Sequence, residues 1–200
     1  MSIVLDAMGG DHGHEGAVDA ALLALKAHPE LQLILVGDEP TLTNALIARK
    51  RSGDSRLALQ HASETVGMDE QPSKALRSKK DSSMRVAINL VKEGRAQAAV
   101  SAGNTGALMA TAKFVLKTLP GIDRPAIVSA IPSINGHVHM LYLRANAECS
   151  AEQLFQCAVM GAALVTAVLG IACPSVALLN ICEEEIKGNE VIKQAAALLQ

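Results

Sequence analysis

The stretch V-S-A-G-N-T-G-A-L-M at residues 100–109 decides the fold, because the residue types change halfway along it. The segment before it, residues 96–100, is small and apolar, which predicts a strand buried on both faces. The segment after it, residues 107–116, holds helix formers with no breaker and predicts a helix. Gly103 and Gly106 therefore lie where a parallel strand turns into a helix.

Such a turn leaves several backbone N–H groups unpaired at the positive end of the helix dipole. This arrangement suits an anion, most naturally a phosphate or a developing oxyanion. The alternative is a tight turn whose glycines serve only backbone geometry. Spacing alone leaves both open, because the stretch is neither G-x-G-x-x-G nor a P-loop. Asn104 and Thr105 place two polar side chains at the start of the helix and favour a binding site.

The rest of the chain alternates between strand and helix patterns. Strands are predicted at 2–7, 31–36, 57–61, 126–131, 137–143 and 176–181, and helices at 15–27, 41–50, 83–93, 150–169 and 190–199, with 62–82 irregular. Asn135-Gly136 between two apolar runs indicates a hairpin, so one antiparallel pair is expected. The whole pattern predicts a single α/β domain over 1–200, with a mainly parallel sheet in a three-layer sandwich.

In such sheets ligands bind beyond the carboxyl ends of the strands. The loops at 8–13, 101–106 and 180–188 all follow predicted strands, so we expect them to share one edge of the sheet.

Composition excludes several classes of protein. Half of the residues are apolar and 19% are charged, which is typical of a globular core. The net charge of −2 and the near absence of aromatic residues argue against nucleic-acid binding. The four cysteines form no C-x-x-C pair, so we expect reduced thiols and no zinc site. The apolar run at 154–173 lacks aromatic anchors and flanking cations and therefore predicts a buried helix rather than a membrane span.

Three polar segments are candidates for chemistry. In the loop at 6–13, Asp11 could orient His12 as a general acid or base, or both could bond locally to the backbone. Residues 74–85 carry five cations and one acid, which suits phosphate or an acidic partner but also an ordinary solvated helix face. In the segment 180–188, Lys187 could neutralise a transferring anion or form a surface ion pair. No nucleophile motif such as G-x-S-x-G is present.

Taken together, six motifs resemble those of a known family. They are V-L-D-A-M-G-G-D-H-G (4–13), K-A-L-R-S-K-K-D-S-S-M-R (74–85), V-S-A-G-N-T-G-A-L-M (100–109), P-G-I-D-R-P (120–125), Q-C-A-V-M-G (156–161) and N-I-C-E-E-E-I-K-G-N (180–189). In this order they are similar to the bacterial phosphate acyltransferases of phospholipid synthesis, and the similarity covers the whole chain.

The resemblance implies transfer of a fatty acyl group from acyl carrier protein to inorganic phosphate, which yields acyl phosphate. It also implies a fold similar to isocitrate and isopropylmalate dehydrogenases, and a cytoplasmic homodimer that contacts the membrane peripherally. No metal or other cofactor is expected. The family continues through a further C-terminal portion, so residues 1–200 are expected to be incomplete relative to it, with the membrane contact in that portion.

The resemblance also makes the site hypotheses specific. The expected catalytic residues are Lys187, Asn104 and His12; the anion-binding residues are Gly9, Gly10, Asp11, Gly103, Thr105, Gly106 and Asn146; and the carrier-docking residues are Lys79, Lys80 and Arg85. Three positions depart from the family pattern. Tyr142 replaces an Asp, and Arg144 and Cys182 each replace a Gly. These departures favour the alternative function, a catalytically impaired or inactive remnant that keeps a phosphate-binding scaffold.

Overall fold

The computed structural model describes residues 1–51, 53–134, 136–142, 149–180 and 189–200. They form two compact units, Met1–Lys117 and Thr118–Gln200, each of which is described by itself. Arg144, Asn146, Cys182 and Lys187 lie outside the described residues. The organisation of 1–200 as one domain stays a prediction.

The first unit is built around a parallel sheet. Its elements are β1 (Ser2–Asp6), α1 (Gly13–Ala27), β2 (Gln32–Gly37), α2 (Glu39–Ala48), β3 (Leu57–His61), α3 (Pro72–Ser78), α4 (Ser83–Lys92), β4 (Ala98–Ser101) and α5 (Thr105–Leu116). The strand order is β3-β2-β1-β4, and every neighbouring pair is parallel. The predicted parallel sheet is confirmed.

Helices cover both faces of this sheet because successive side chains of a strand point to opposite faces. Leu33 and Leu35 of β2 pack in one core with α1 and α2. Ile34 and Val36 pack in a second core with α4. A third core joins α3, α4 and α5. The expected three-layer arrangement is therefore confirmed for this unit.

Two expectations about the first unit are wrong. The segment before Gly103 is not buried on both faces, since β4 lies at the edge of the sheet among the described strands and Val100 is 49% exposed. Small apolar residues alone cannot distinguish an edge strand from a central one. The segment 62–82 is not wholly irregular, because α3 forms within it with Pro72 at its first turn, where proline is favoured.

The second unit contains an antiparallel hairpin and two helices. Strands β5 (Ile127–Ser133) and β6 (Gly136–Tyr142) pair as the Asn-Gly signal predicts, with Gly136 at φ +119°. They are followed by α6 (Ala151–Leu169) and α7 (Glu190–Leu199). A capping box of Ser150 and Gln153 begins α6, and Gly170 ends it at φ +70°.

Two further expectations are wrong in this unit. Helix α6 is not buried, because only 6% of its most apolar 18-residue stretch is buried. Its length and composition would suffice to cross a membrane. Of the elements that the structure describes, α7 and β6 contact it most, and they leave most of its surface open. The strand expected at 176–181 does not form over 176–180, and residue 181 lies outside the described ranges.

Candidate functional site

The loops that follow β1 and β4 meet at one edge of the parallel sheet. The two strands are neighbours, and their last residues, Asp6 and Ser101, lie opposite each other in register. A Cβ atom on Gly9 would lie 2.9 Å from the Cα atom of Gly103, so the two backbones touch. Two of the three loops expected at this edge therefore meet. The third loop lies mostly within residues 181–188, which are outside the described ranges.

A buried carboxylate holds this contact together. Asp6 is 2% exposed, and it accepts hydrogen bonds from the Ser101 hydroxyl (2.7 Å) and from the Met8 backbone N–H (3.2 Å). The Ser101 oxygen in turn accepts the N–H of Gly103 (3.1 Å). Sequence reasoning did not assign this role to Asp6. The available signal was a carboxylate at the end of an otherwise apolar strand.

The first turn of α5 presents two unpartnered donors beside this contact. The backbone N–H groups of Thr105 and Gly106 meet no hydrogen-bond acceptor among the residues that the structure describes. They lie at the N-terminus of a 12-residue helix, where the dipole adds positive potential. This pair can bind an anion, whereas the N–H of Gly103 is already occupied by Ser101.

Asn104 ties the start of α5 to a distant segment of chain. Its amide oxygen caps the helix by accepting the N–H of Ala107 at 3.0 Å. Its amide nitrogen lies 2.9 to 3.3 Å from the carbonyl oxygens of Gly67, Met68 and Glu70. The side chain is thus fully engaged in positioning the segment 67–70 beside the two free donors.

An ion pair between Lys79 and Glu70 also holds the same segment. The Lys79 ammonium donates to the Glu70 carboxylate (2.5 Å) and to the Thr65 carbonyl (2.6 Å). The Glu70 carboxylate also accepts the N–H of Gly67 (3.3 Å). Lys79 therefore points its charge into this loop, whereas Lys80 is exposed. The Lys79 charge is thus already paired within the chain, and the carrier-docking roles expected for Lys79, Lys80 and Arg85 stay predictions.

Acid should weaken this ion pair. The hydrogen bond from Lys79, more than that from Gly67, holds the pKa of Glu70 below its ordinary value. A lowered folded-state pKa means that the pair stabilises the fold above about pH 4.3 and loses this effect as the pH falls through the pKa of the folded state. We expect Lys79→Met to flatten this acid dependence, measured as the free energy of unfolding in urea from pH 3 to 7. The control is Lys80→Met, and parallel curves for Lys79→Met and the parent would contradict the expectation.

The loop at 6–13 does not show the expected acid–base pair. Asp11 and His12 are both exposed, and no hydrogen bond joins their side chains among the described contacts. Gly10 adopts φ +91° and a Cβ atom there would lie 2.9 Å from the Cβ atom of Ala102, so the position favours glycine. Its expected part in anion binding stays a prediction. Within the described ranges no group of three or more His, Cys, Asp or Glu side chains is placed to hold a metal ion. The roles proposed for His12, Lys187 and Asn146 stay predictions.

Comparisons with known proteins show the family to which this chain belongs. The chain is 64% identical over 198 residues to a phosphate acyltransferase of Methylococcus capsulatus, covering 99% of this chain and 58% of that protein. It is 60% identical over 199 residues to a phosphate acyltransferase of Halorhodospira halophila, covering all of this chain and 58% of that protein. The chain thus spans less than two thirds of the length of these relatives. A family model described as fatty acid synthesis protein matches residues 1–200, and the chain therefore belongs to that family.

Proposed function

We propose that this chain forms the phosphate-binding part of an acyltransferase that moves a fatty acyl group from acyl carrier protein to inorganic phosphate. The observation that carries the proposal is the pair of N–H groups on Thr105 and Gly106, at the N-terminus of α5, that meet no acceptor within the described part of the chain. The relatives at 60–64% identity are phosphate acyltransferases, which supports acyl transfer to phosphate. Phosphate and an oxyanion are both ligands that such a helix start favours.

The proposed reaction needs no covalent bond between the protein and the acyl group. An oxygen of hydrogen phosphate bonds to the carbonyl carbon of the thioester, the carbon–sulfur bond breaks, and the proton of the phosphate ends on the departing thiol. The thioester is already activated, so holding the two reactants together and stabilising charge supply the catalysis. The donors on Thr105 and Gly106 would hold the phosphate or the carbonyl oxygen as it becomes negative, and Asn104 would keep that helix start in place.

The remaining assignments complete this proposal. His12 would move the proton, Lys187 would offset negative charge in the transition state, and Asn146 and Asp11 would contribute to phosphate binding. We also propose a homodimer in the cytoplasm that contacts the inner face of the membrane. The open apolar surface of α6 supports the proposal of a second surface that covers it, either the partner subunit or the membrane, since an exposed apolar face of this length marks an interaction site.

Replacing Thr105 with proline tests the phosphate site directly. Thr105 is the first residue of α5, where proline is well tolerated, and Asn104 before it has ψ 110°, close to the range that a following proline favours. Thr105→Pro therefore deletes one backbone donor and leaves the helix intact. We expect phosphate affinity, measured by calorimetry, to fall about tenfold, which corresponds to one lost charge-assisted hydrogen bond.

The matched control is Thr105→Ala, which removes the side chain and keeps the N–H group. Both variants should unfold at the same urea concentration as the parent. The activity itself is checked by following acyl phosphate with acyl carrier thioester and phosphate as substrates. Unchanged phosphate binding in Thr105→Pro would remove this donor from the site, and phosphate binding without any product would show that the chain has lost turnover.

A further inference from the structure

Helices α4 and α5 form a surface of one sign of charge. With the helix-capping Lys117 they carry four cations and no carboxylate, although the whole chain has a net charge of −2. The cations are Arg85, Lys92, Lys113 and Lys117. Arg85, at the start of α4, and Lys117, at the end of α5, both contact Phe114, and Lys113 precedes that ring in the chain, so three of the four cations gather at the C-terminal end of α5.

An exposed aromatic ring lies at the centre of that end. Phe114, near the end of α5, is 53% exposed. The guanidinium of Arg85 lies 5.0 Å from the centre of the ring, and the ammonium of Lys117 lies 4.9 Å from it. Both distances are within the range of cation–π attraction, so the cations hold the ring in place. The result is a small apolar spot framed by positive charge.

We infer that Arg85, Phe114 and Lys117 form the docking surface for the acidic face of the acyl carrier protein. The inference rests on the proposed function for the identity of the donor, and on charge complementarity for the place where it binds. Aromatic and arginine side chains are the residues that most often anchor a protein interface. The inference does not use Lys79, because its ammonium is bonded to Glu70 and Thr65.

The distance from this surface to the start of α5 suits a carrier protein that holds its acyl group on a flexible arm. Lys117 is separated from Gly106 by 11 residues along α5, or about 16 Å at the rise of an α-helix. A carrier docked at the end of α5 would therefore deliver its thioester along the helix to the donors at its start. Acyl transfer from a small thioester such as S-acylpantetheine needs no such docking and should be independent of this surface.

Charge reversal tests the docking surface. We expect Arg85→Glu and Lys117→Glu each to weaken binding of fluorescently labelled acyl carrier protein about tenfold in anisotropy at low salt, and Phe114→Ala to weaken it several-fold. Binding by the parent should itself weaken as salt is raised. The matched control is Lys92→Glu, an exposed cation at the opposite end of α4, which should bind within twofold of the parent.

Three results would overturn the inference: variants that bind like the parent, a Lys92→Glu effect as large as that of Arg85→Glu, or a parent chain that binds vesicles of anionic lipid and not the carrier. The thioester S-acylpantetheine separates this inference from the proposed function. If acyl phosphate forms from it while the carrier does not bind, the docking surface is wrong and the phosphate chemistry stands. If no acyl phosphate forms from either donor, the proposed function fails.

Discussion

Replacing Asn104 with alanine should lower the free energy of unfolding of the first unit by about 2–4 kcal/mol. The loss has two parts. Removing a helix cap costs about 1 kcal/mol, and leaving partly buried carbonyl groups without a donor costs roughly 1–3 kcal/mol. Both apply here, because Asn104 caps α5 through its oxygen, and its two amide hydrogens point at the carbonyl oxygens of the segment 67–70, of which Met68 and Glu70 lie nearest at 2.9 Å. The measurement is the midpoint of urea unfolding at an unchanged slope.

The variant Asn104→Asp separates these two parts. Aspartate is as good a cap as asparagine and suits the positive end of the helix dipole. It also places a carboxylate oxygen against the carbonyl oxygens of Met68 and Glu70 in place of a donor. We expect Asn104→Asp to be at least as destabilising as Asn104→Ala. Stability equal to that of the parent would show that capping is the whole role of Asn104.

The same residue explains why part of the site could be predicted from the sequence and part could not. The helix start at Asn104 and Thr105 is a local feature, and a strand followed by Gly, Asn and Thr is enough to predict it. The bonds from Asn104 to Met68 and Glu70 join residues 36 and 34 positions apart. No local pattern reports such a contact. The Lys79–Glu70 ion pair is similar, since a cation in a charged run is indistinguishable from its solvated neighbours until its partner is known.

Several turns and helix ends could be predicted from the sequence because they depend on neighbouring residues. The hairpin at 127–142, the capping box at Ser150 and the glycine that ends α6 each follow from residues within a few positions of one another. Burial depends instead on which other elements lie nearby. The expected burial of β4 and α6 was wrong because apolar composition states what a segment favours and not what covers it.

The close contact between Gly9 and Gly103 should make Gly9→Ala the most damaging of the small substitutions at this sheet edge. The added Cβ atom would lie 2.9 Å from the Cα atom of Gly103 and 2.9 Å from a carboxylate oxygen of Asp6. Backbone cannot yield as the end of a flexible side chain can, so the two loops must separate. We expect a loss of about 2–3 kcal/mol in the free energy of unfolding, the upper part of the range for overpacking.

The matched control is Gly67→Ala in the neighbouring segment. There the added Cβ atom would lie 3.3 Å from the end of the flexible Asp69 side chain, so the neighbour can move aside. Because alanine restricts the unfolded chain more than glycine does, this control should leave stability unchanged or raise it slightly. Separating the loops in Gly9→Ala would also break the bonds of Ser101 to Asp6 and to Gly103. Phosphate affinity should therefore fall in Gly9→Ala and not in Gly67→Ala. Equal phosphate affinity in the two variants would show that the contact between Gly9 and Gly103 does not support the phosphate site.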